Sequence, residues 1–325
     1  MDACRNPDPP ALRVLVLGGG GFIGRHAVAA LLTEGFAVEV GSRHPGRLDR
    51  RLPGEARRCL RRRVHFEDLL SAEAWQPVLD GIDVVMNCVG ILRPRGRETY
   101  QRVHHLAPAA LAEACRRSGK RLVHVSALGL QAPMRSGFLR SKADGEAALR
   151  RSGANCCIVR PSLLDAEAGG YGAAWIRRVA RWPVHAVPAD ATGRIAALDV
   201  RDLGVALAVL ARRPRLGGDE GPGEYELGGE TALALGDYLA AMRRQLIGGS
   251  ALRIPVPGLL ARIASHACDL LHLTPFSFGH WELLRRDNLP SRNALPELLG
   301  RAPRPVVPPP GHEPYQPPRA VPADA

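Results

Sequence analysis

The glycines of the stretch RVLVLGGGGFIG, residues 13–24, have the spacing of a phosphate-binding turn. They fit two patterns, G-x-G-x-x-G at Gly19, Gly21 and Gly24, and G-x-x-G-x-x-G at Gly18, Gly21 and Gly24. Glycines so spaced allow a tight turn, close approach of the backbone to a pyrophosphate and close packing of a helix on a strand. The phosphates would bind free N–H groups at the helix N-terminus, where the helix dipole favours negative charge.

The flanking sequence supplies the strand and the helix that a nucleotide-binding turn requires. Residues 14–17 form an apolar run typical of a buried parallel strand, and residues 25–32 have the composition of a helix. Phe22 and Ile23, next to the glycines, are predicted to contact the cofactor. A plain surface turn is the alternative, but the succession of strand, turn and helix favours a dinucleotide site.

The end of the second predicted strand, residues 37–41, is where a dinucleotide fold selects its cofactor. An acidic residue there accepts a hydrogen bond from the ribose 2′-hydroxyl, whereas an arginine pairs with a 2′-phosphate. Ser42 and Arg43 occupy this place, and Glu39 lies inside the strand. We therefore predict NADP(H) in preference to NAD(H), and a merely solvated Arg43 would leave NAD(H) possible.

Two later strand ends hold further predicted cofactor contacts. Asp68 follows a strand predicted over residues 64–66, where its carboxylate would accept from the adenine amino group or cap the next helix. A fourth strand, predicted over residues 82–90, ends in small residues that would lie under the cofactor. The predicted contacts at this end are Asn87, Val89 and Gly90.

The alternation of strands and helices predicts an α/β fold, a Rossmann-type doubly wound parallel sheet with a smaller C-terminal substrate or partner lobe. A helix is predicted over residues 100–118, and a fifth and a sixth strand over residues 121–126 and 157–160. Four regions follow: a disordered leader at 1–11, a dinucleotide-binding core at 12–165, a lobe at 166–302 and a proline-rich disordered tail at 303–325. The lobe is interleaved with the last core strands at about residues 195–245.

Composition excludes several classes of protein. The net charge is +12, but the basic residues are almost all arginine, with lysine only at Lys120 and Lys142. The densest basic run, residues 57–63, contains no aromatic residue, which predicts a solvated face and no nucleic-acid partner. The seven cysteines include no C-x-x-C, so neither a metal site nor a disulfide framework is predicted, and a reducing compartment is favoured.

The sequence contains no signal peptide and no apolar run long enough to cross a bilayer, which predicts a cytoplasmic protein. Residues 258–273 place leucines, an isoleucine and alanines on one helical face. Packing in the core or in an interface is the favoured interpretation of this face, and peripheral contact with the inner face of a membrane is the alternative.

Several motifs together resemble the short-chain dehydrogenase/reductases of the extended and atypical kind, which include epimerase/dehydratase-like proteins. They are GGGGFIG, NCVG, VHVSALG, FLRSKADGE and IVRPS, in the family's order over about residues 14–229. The resemblance includes the branch with the NAD(P)H-binding accessory subunit of respiratory complex I and its bacterial relatives. Features of that branch are VGILRPRGRETYQRVHHLAPAALAEAC, YELGG and LLRRDN.

The resemblance implies where the catalytic residues lie. Active members use a serine, a tyrosine and a lysine; the lysine lowers the pKa of the phenol and holds the nicotinamide ribose. Ser126 matches the serine and Lys142 the lysine, but the tyrosine position is Phe138, whose ring cannot transfer a proton. Pro161 and Ser162, after the sixth strand, are further implied cofactor contacts.

Three other side chains are candidates for the missing acid/base, although a structural role is favoured for each. They are Tyr171, His104 and His124. The favoured function is therefore dinucleotide binding with weak or no turnover by a protein that docks on a protein or membrane partner. The alternatives are an active NADP(H)-dependent oxidoreductase or epimerase with another acid/base, and a redox sensor that regulates a partner.

Overall fold

The computed structural model describes residues 11–307 apart from residues 53, 132, 168, 219, 220 and 273, and it describes only the backbone of Asp49 and Tyr171. The predicted leader up to residue 10 and the predicted tail from residue 308 lie outside this part of the chain. The strands are β1 (Arg13–Leu17), β2 (Ala37–Ser42), β3 (Leu60–Arg63), β4 (Val84–Asn87), β5 (Arg121–Val125), β6 (Cys156–Pro161), β7 (Leu164–Asp165), β8 (Val184–Pro188), β9 (Arg194–Ile195), β10 (Leu198–Asp199), β11 (Gly217–Gly218), β12 (Gly221–Leu227), β13 (Leu233–Ala234) and β14 (Leu252–Val256). The helices are α1 (Phe22–Thr33), α2 (Ala72–Leu79), α3 (Ala107–Ser118), α4 (Gly137–Arg151), α5 (Tyr171–Ala180), α6 (Val200–Arg212), α7 (Leu235–Ile247), α8 (Gly258–Leu271), α9 (Phe278–Leu284) and α10 (Leu295–Leu299).

One large sheet organises the molecule, with the strand order β11-β12-β6-β5-β4-β1-β2-β3. Its neighbouring strands are parallel except for the antiparallel pair of β11 and β12. The order 3-2-1-4-5-6 within it is that of a dinucleotide-binding sheet, whose ligands lie outside the carboxyl ends of the strands. The predicted doubly wound parallel sheet is confirmed.

Strand β1 is uniformly apolar because both of its faces are covered. Val14 and Val16 face one apolar cluster, which includes residues of α1 and α6. Leu15 and Leu17 face a second cluster, which includes residues of α2 and α3. All four side chains are fully buried, as expected for a central strand of a parallel sheet.

The third strand lies earlier than the sequence predicts. Residues 64–66 were expected to form it, but β3 is Leu60–Arg63 and begins within the basic run 57–63. Arg62 is not solvated, because its guanidinium donates to Glu39 Oε2 at 2.9 Å and to the Val78 carbonyl at 2.7 Å. The ion pair with buried Glu39 allows an arginine inside this edge strand, and apolar periodicity does not show such a pair.

The helix predicted over residues 100–118 begins as a π-helical segment, Gln101–Leu106, and continues as α3. Pro108 has no N–H to donate to the carbonyl of His104, so the regular α-helical ladder is broken there. Helix α4 passes directly over this carbonyl, because a Cβ on Gly145 would lie 2.0 Å from His104 O. Single π-helical turns are frequent at functional sites.

The C-terminal lobe carries small two-stranded sheets, β8 with β14 and β9 with β13, and an apolar cluster under α7. Tyr238, Met242 and Val187 belong to this cluster, and so does Val307, which is 3% exposed. Residues 303–307 of the predicted tail therefore pack on the lobe.

Helix α8 corresponds to the predicted apolar segment 258–273, but its apolar face is not packed in the core of this chain. Only Ala261 and Ser265 of the helix are buried. The expectation of core packing is wrong for this segment, and the expectation of an interface or a membrane contact stays open. No helix in the described ranges is both long and apolar enough to span a bilayer.

Candidate functional site

The glycine turn between β1 and α1 has the geometry of the G-x-x-G-x-x-G spacing. Gly18 has a positive φ of 72°, and its carbonyl accepts from the Gly21 N–H at 2.8 Å. A Cβ on Gly24 would lie 2.2 Å from this same carbonyl oxygen, so only glycine lets the first turn of α1 approach the strand end. The N-terminal N–H groups of α1, at Phe22 and Ile23, lack intrahelical partners by the geometry of a helix and can bind phosphate.

A second glycine turn lies against the start of α1. Gly169 and Gly170 have positive φ values of 81° and 74°. A Cβ on Gly170 would lie 2.8 Å from the Phe22 ring, and one on Gly169 would lie 2.1 Å from the Arg25 guanidinium. The segment before α5 therefore passes beside the predicted pyrophosphate position. The side chain of Tyr171, a candidate acid/base, lies outside the described residues.

The side chains predicted to select the cofactor are tied to a neighbouring loop. Arg43 Nη1 lies 2.5 Å from Glu98 Oε1, and Ser42 Oγ accepts from the His44 N–H at 3.2 Å. Asp68 is paired with Arg97 at 2.9 Å. The predicted alternative role of Asp68 as a helix cap is wrong, since α2 is capped by Ser71, which accepts from the Ala74 N–H.

Asn87 shapes the end of β4 through contacts within the protein. Its side chain is fully buried; Oδ1 accepts from the Val89 N–H at 3.0 Å, and Nδ2 lies 3.0 Å from His124 Nδ1. The amide must donate to His124, so this Nδ1 is the unprotonated nitrogen of the ring. Asn87 therefore positions Val89 and Gly90 beside the glycine turn. The sequence predicted that Asn87 contacts the cofactor directly, and it did not predict this role in ordering the end of β4.

Ser126, Phe138 and Lys142 lie at the carboxyl edge of the sheet, where the resemblance implies catalysis. Ser126 is 6% exposed, and its Oγ is buried without a hydrogen-bond partner among the described residues. Lys142 Nζ lies 5.8 Å from the centroid of the Phe138 ring, as their spacing on one face of α4 predicts. Within the described chain, no carboxylate or carbonyl lies within bonding distance of this ammonium.

The environment of Lys142 favours its neutral form. Burial lowers the pKa of Lys142 to about 8, against a smaller opposing effect of Glu146. Burial, together with the charge of Lys142, lowers the pKa of His104 to about 2 and that of His124 to about 4. Both imidazoles are therefore neutral at pH 7.

His104 is not free to exchange a proton. Its Nε2 accepts from the Ile91 N–H at 3.1 Å, and its Nδ1 lies 3.0 Å from Ser141 Oγ. Ser141 in turn donates to the Phe138 carbonyl at 3.0 Å, so Nδ1 must carry the proton. Both ring nitrogens hold the π-helical segment against α4 and the loop after β4, which agrees with the structural role favoured for this histidine.

Tyr100 is the described tyrosine that packs beside the site, where its ring is T-shaped against Phe138 with centroids 5.9 Å apart. Its hydroxyl donates to the Leu92 carbonyl at 2.7 Å. Burial raises the pKa of this phenol to about 12, further from neutrality than an ordinary tyrosine. Tyr100 therefore does not supply the acid that Phe138 lacks.

A buried salt bridge fixes α4 to the sheet. Arg160 on β6 donates to Glu146 at 2.9 and 2.6 Å, and both side chains are nearly fully buried. Arg160 also lies 2.9 Å from Glu224 on β12. Glu146 is one helical turn after Lys142, so the pair sets the position of the lysine.

The segment after α9 contributes a residue that the sequence did not single out. The Asn288 carbonyl accepts from Ser162 Oγ at 3.1 Å, and its Oδ1 is buried with no partner in the described part of the chain. A Cβ on Gly129 would lie 3.6 Å from Asn288 Nδ2, which places the amide above the extension of β5. The motif LLRRDN, which ends in this asparagine, was the sequence feature that could have indicated Asn288. Pro161, a predicted cofactor contact, is the last residue of β6 and is buried.

The residues present fit a dinucleotide. The cradle formed by Gly18, Gly21 and Gly24 admits no side chain, and the buried Ser126 hydroxyl has no protein partner within the described residues. The cradle and Ser126 lie at the carboxyl ends of β1 and β5, on the edge of the sheet that binds ligands.

Comparisons with known proteins agree with this geometry. A family model described as NAD(P)H-binding matches residues 18–179. The chain is 31% identical over 292 residues to the ceramide reductase of Caulobacter vibrioides, a match that covers 87% of this chain and 88% of the relative. It is 26% identical over 244 residues to the mitochondrial NADH dehydrogenase [ubiquinone] 1 alpha subcomplex subunit 9 of Dictyostelium discoideum, covering 74% and 66% of the two chains.

A solved structure shows the same fold at low identity. It is the NADPH-dependent quinone oxidoreductase QOR2 of Escherichia coli complexed with NADPH, with a TM-score of 0.66 and 19% identity. The match covers 90% of this chain and 96% of that one. From the glycine cradle, the order of the strands and these matches together, the chain belongs to the NAD(P)H-binding short-chain dehydrogenase/reductase family, in its atypical branch.

Proposed function

We propose that this protein is an NAD(P)H-dependent carbonyl reductase in which Lys142 supplies the proton that the family's tyrosine would supply. The observations that carry the proposal are that Ser126 Oγ is buried without a hydrogen-bond partner among the described residues, and that Lys142 Nζ lies over the Phe138 ring with no hydrogen bond or ion pair to the described chain. Of the other described candidates, His104 is bound within the protein through both ring nitrogens, and His124 accepts from Asn87 at Nδ1 and is held neutral by a pKa of about 4. The Tyr100 hydroxyl is bound to the Leu92 carbonyl. A buried hydroxyl that no protein group satisfies lowers stability, so its presence at the sheet edge favours a ligand that binds it.

Ser126 and Lys142 have different roles in the proposed reduction. When bound, the reduced nicotinamide supplies a hydride to the carbonyl carbon of the substrate. Ser126 donates a hydrogen bond to the carbonyl oxygen and polarises the bond. Lys142 in its ammonium form gives a proton to the same oxygen, which completes the alcohol, and the neutral amine regains a proton from water.

The surroundings of Lys142 suit a proton donor. A pKa of about 8 keeps most of the lysine protonated at pH 7, while its proton is far easier to remove than that of an exposed lysine. The Phe138 ring covers one side of the ammonium without binding its proton. A tyrosine at this position would compete for the same substrate oxygen.

The ceramide reductase relative, at 31% identity over 87% of this chain, suggests the substrate class. Because that protein is named a ceramide reductase, we propose a carbonyl on a ceramide-type lipid as the substrate. NADPH is the proposed reductant, on the basis of Arg43 at the end of β2.

The test is turnover by the purified full-length protein with NADPH and a keto-ceramide in detergent. The Lys142→Arg variant keeps the positive charge but holds its proton too tightly to donate it, so we expect unchanged NADPH binding and a loss of turnover of about 10²-fold. The control is Lys120→Arg at the other lysine, which should behave as wild type. Full turnover by Lys142→Arg would contradict the assignment of the proton donor.

The second candidate function is dinucleotide binding with weak or no turnover, in a protein that docks on a protein partner such as a respiratory complex. Phe138 at the tyrosine position favours it, as does the relative that is a subunit of NADH dehydrogenase. Under this hypothesis the wild-type protein binds NADPH, oxidises none of it with any carbonyl lipid supplied, and releases it slowly. Rapid exchange of bound NADPH with labelled NADPH would contradict the second candidate.

A further inference from the structure

The exposed apolar side chains of this protein are concentrated on the C-terminal lobe. Outside the lobe, the large exposed apolar side chains among the described residues are Leu60 and Leu106. Those on the lobe form what we call the lobe apolar surface: Trp182, Val184, Ile247, Leu252, Ile254, Leu259, Leu260, Ile263, Leu270 and Leu271. Scattered single apolar residues are normal on a soluble protein, but a concentration of this kind marks an interaction site.

Helix α8 provides half of this surface. Leu259, Ile263 and Leu270 are 69%, 56% and 80% exposed, and their spacing places them along one side of the helix. The opposite side rests on the lobe through Ala261 and Ser265. The helix therefore lies flat on the protein with its leucines outward, as a helix that binds at a lipid interface must.

The two-stranded sheet of β8 and β14 extends the surface. Leu252 is paired with Val184 across this sheet, and both side chains are exposed. Ile254, two residues after Leu252, points to the same face of the strand. Only Pro257 separates the end of β14 from the start of α8, so the exposed apolar side chains of the strand and of the helix come from one stretch of the chain.

The edge of β14 that is not paired with β8 is unfavourable for the addition of another strand. The Leu252 N–H and the Val256 carbonyl bond to the β8 side, so Pro255 faces the free edge, where it offers no N–H. A proline on an edge strand blocks pairing with another chain. A strand added at this edge would therefore lack a backbone hydrogen bond at Pro255.

The charge of the protein suits an anionic occupant. Arg244 and Arg262 are exposed beside the apolar residues of α7 and α8, and Arg253 on β14 is exposed and paired with Asp237 at 3.1 Å. The whole chain has a net charge of +12. A basic residue near an anionic bilayer adds about 1 kcal/mol of attraction, and leucines inserted at the headgroup level add the hydrophobic contribution.

We propose that the lobe apolar surface docks on the headgroup region of an anionic lipid bilayer, with α8 lying in the plane of the membrane. The proposal goes beyond the reductase function, because it concerns where the protein binds and needs no catalytic step. It also holds if the second candidate function is correct.

The test is flotation of the full-length protein with phosphatidylcholine vesicles that contain or lack phosphatidylglycerol. We expect the wild type to float with the anionic vesicles and to dissociate at high salt, because the arginine contribution is screened. The double variant Leu259→Glu, Ile263→Glu should lose binding by at least about tenfold. The control is Leu60→Glu, since Leu60 is similarly exposed, at 61%, but lies on β3, the edge strand of the large sheet, outside the lobe.

Three outcomes would overturn the proposal. The first is wild-type protein that does not float with anionic vesicles. The second is a double variant that floats as well as wild type and Leu60→Glu. The third is a wild-type dimer in solution that the double variant converts to a monomer, which would make this surface an interface between two copies. Circular dichroism and NADPH binding show whether the variants are folded, so a folding defect is distinguished from lost docking.

Discussion

At the scale of single residues, Phe138 lacks the hydroxyl of the family's tyrosine, and this changes the role that we propose for Lys142. In active members of the family the lysine acts on a phenol, but here the side chain one turn before Lys142 is Phe138. The lysine lies on α4 over the Phe138 ring and has no hydrogen bond or ion pair to the part of the chain that the structure describes. The buried Ser126 hydroxyl, which has no hydrogen-bond partner among the described residues, lowers the stability of the fold unless a ligand satisfies it.

The pH dependence of turnover tests the role of Lys142. Carbonyl reduction needs the protonated lysine, so kcat/KM should fall about tenfold per pH unit above the pKa of about 8. Oxidation of the corresponding alcohol needs the neutral amine and should rise with pH up to the same point. A Phe138→Tyr variant would add a second acid and move the upper limb of the reduction profile to higher pH. A wild-type reduction rate that is constant from pH 7 to 10 would refute Lys142 as the donor.

Cofactor preference depends on the pair of Arg43 and Glu98. Arg43→Ala should weaken NADPH binding by about tenfold or more and change NADH binding little, because only NADPH carries the 2′-phosphate. Glu98→Gln should strengthen NADPH binding by about threefold, because the carboxylate 2.5 Å from Arg43 repels a phosphate. Calorimetric titration of both cofactors measures this. Equal effects of Arg43→Ala on NADPH and NADH would remove the case for an NADP preference.

At the scale of elements, the sequence predicts the apolar strands and helices better than the elements whose position depends on charged or polar pairs. The all-apolar β1, the glycine turn and α1 lie as predicted, because both a buried strand and a glycine cradle leave a local pattern. Strand β3 was misplaced because its stability depends on Arg62 meeting Glu39, a partner 23 residues away. Likewise, Asn87 matches a predicted site position, but its contact with His124 comes from a strand that only the fold brings close.

The salt bridge of Glu146 with Arg160 should be essential for placing α4. Glu146→Ala leaves Arg160, which is 2% exposed, with only part of its charge compensated, so we expect a loss of about 3 kcal/mol in the free energy of unfolding. Urea denaturation measures this loss. The control is Glu113→Ala, which removes exposed pairs with Arg116 and Arg117 and should change stability little. Similar losses in the two variants would mean that the buried pair does not hold the helix.

At the scale of the whole molecule, the sheet separates two surfaces with different tasks. The carboxyl edge of the large sheet gathers the glycine cradle, Ser126 and Lys142 from different parts of the chain. The lobe presents its apolar surface on β14 and α8. The sequence indicated both the cofactor site and the apolar face of α8, but only the fold shows that this face does not pack in the core.

Binding of the cofactor should stabilise the whole fold by mass action. At 100 times its Kd, a ligand that binds only the folded state adds about 2.7 kcal/mol, which should raise the Tm of wild-type protein by several degrees. Gly24→Ala should abolish this increase, because the added Cβ would lie 2.2 Å from the Gly18 carbonyl at the cradle. Gly172→Ala is the matched control, since a Cβ there meets no atom within 4 Å. Differential scanning calorimetry with and without NADPH measures both variants. A cofactor-induced shift that survives in Gly24→Ala would place the nucleotide away from the glycine turn.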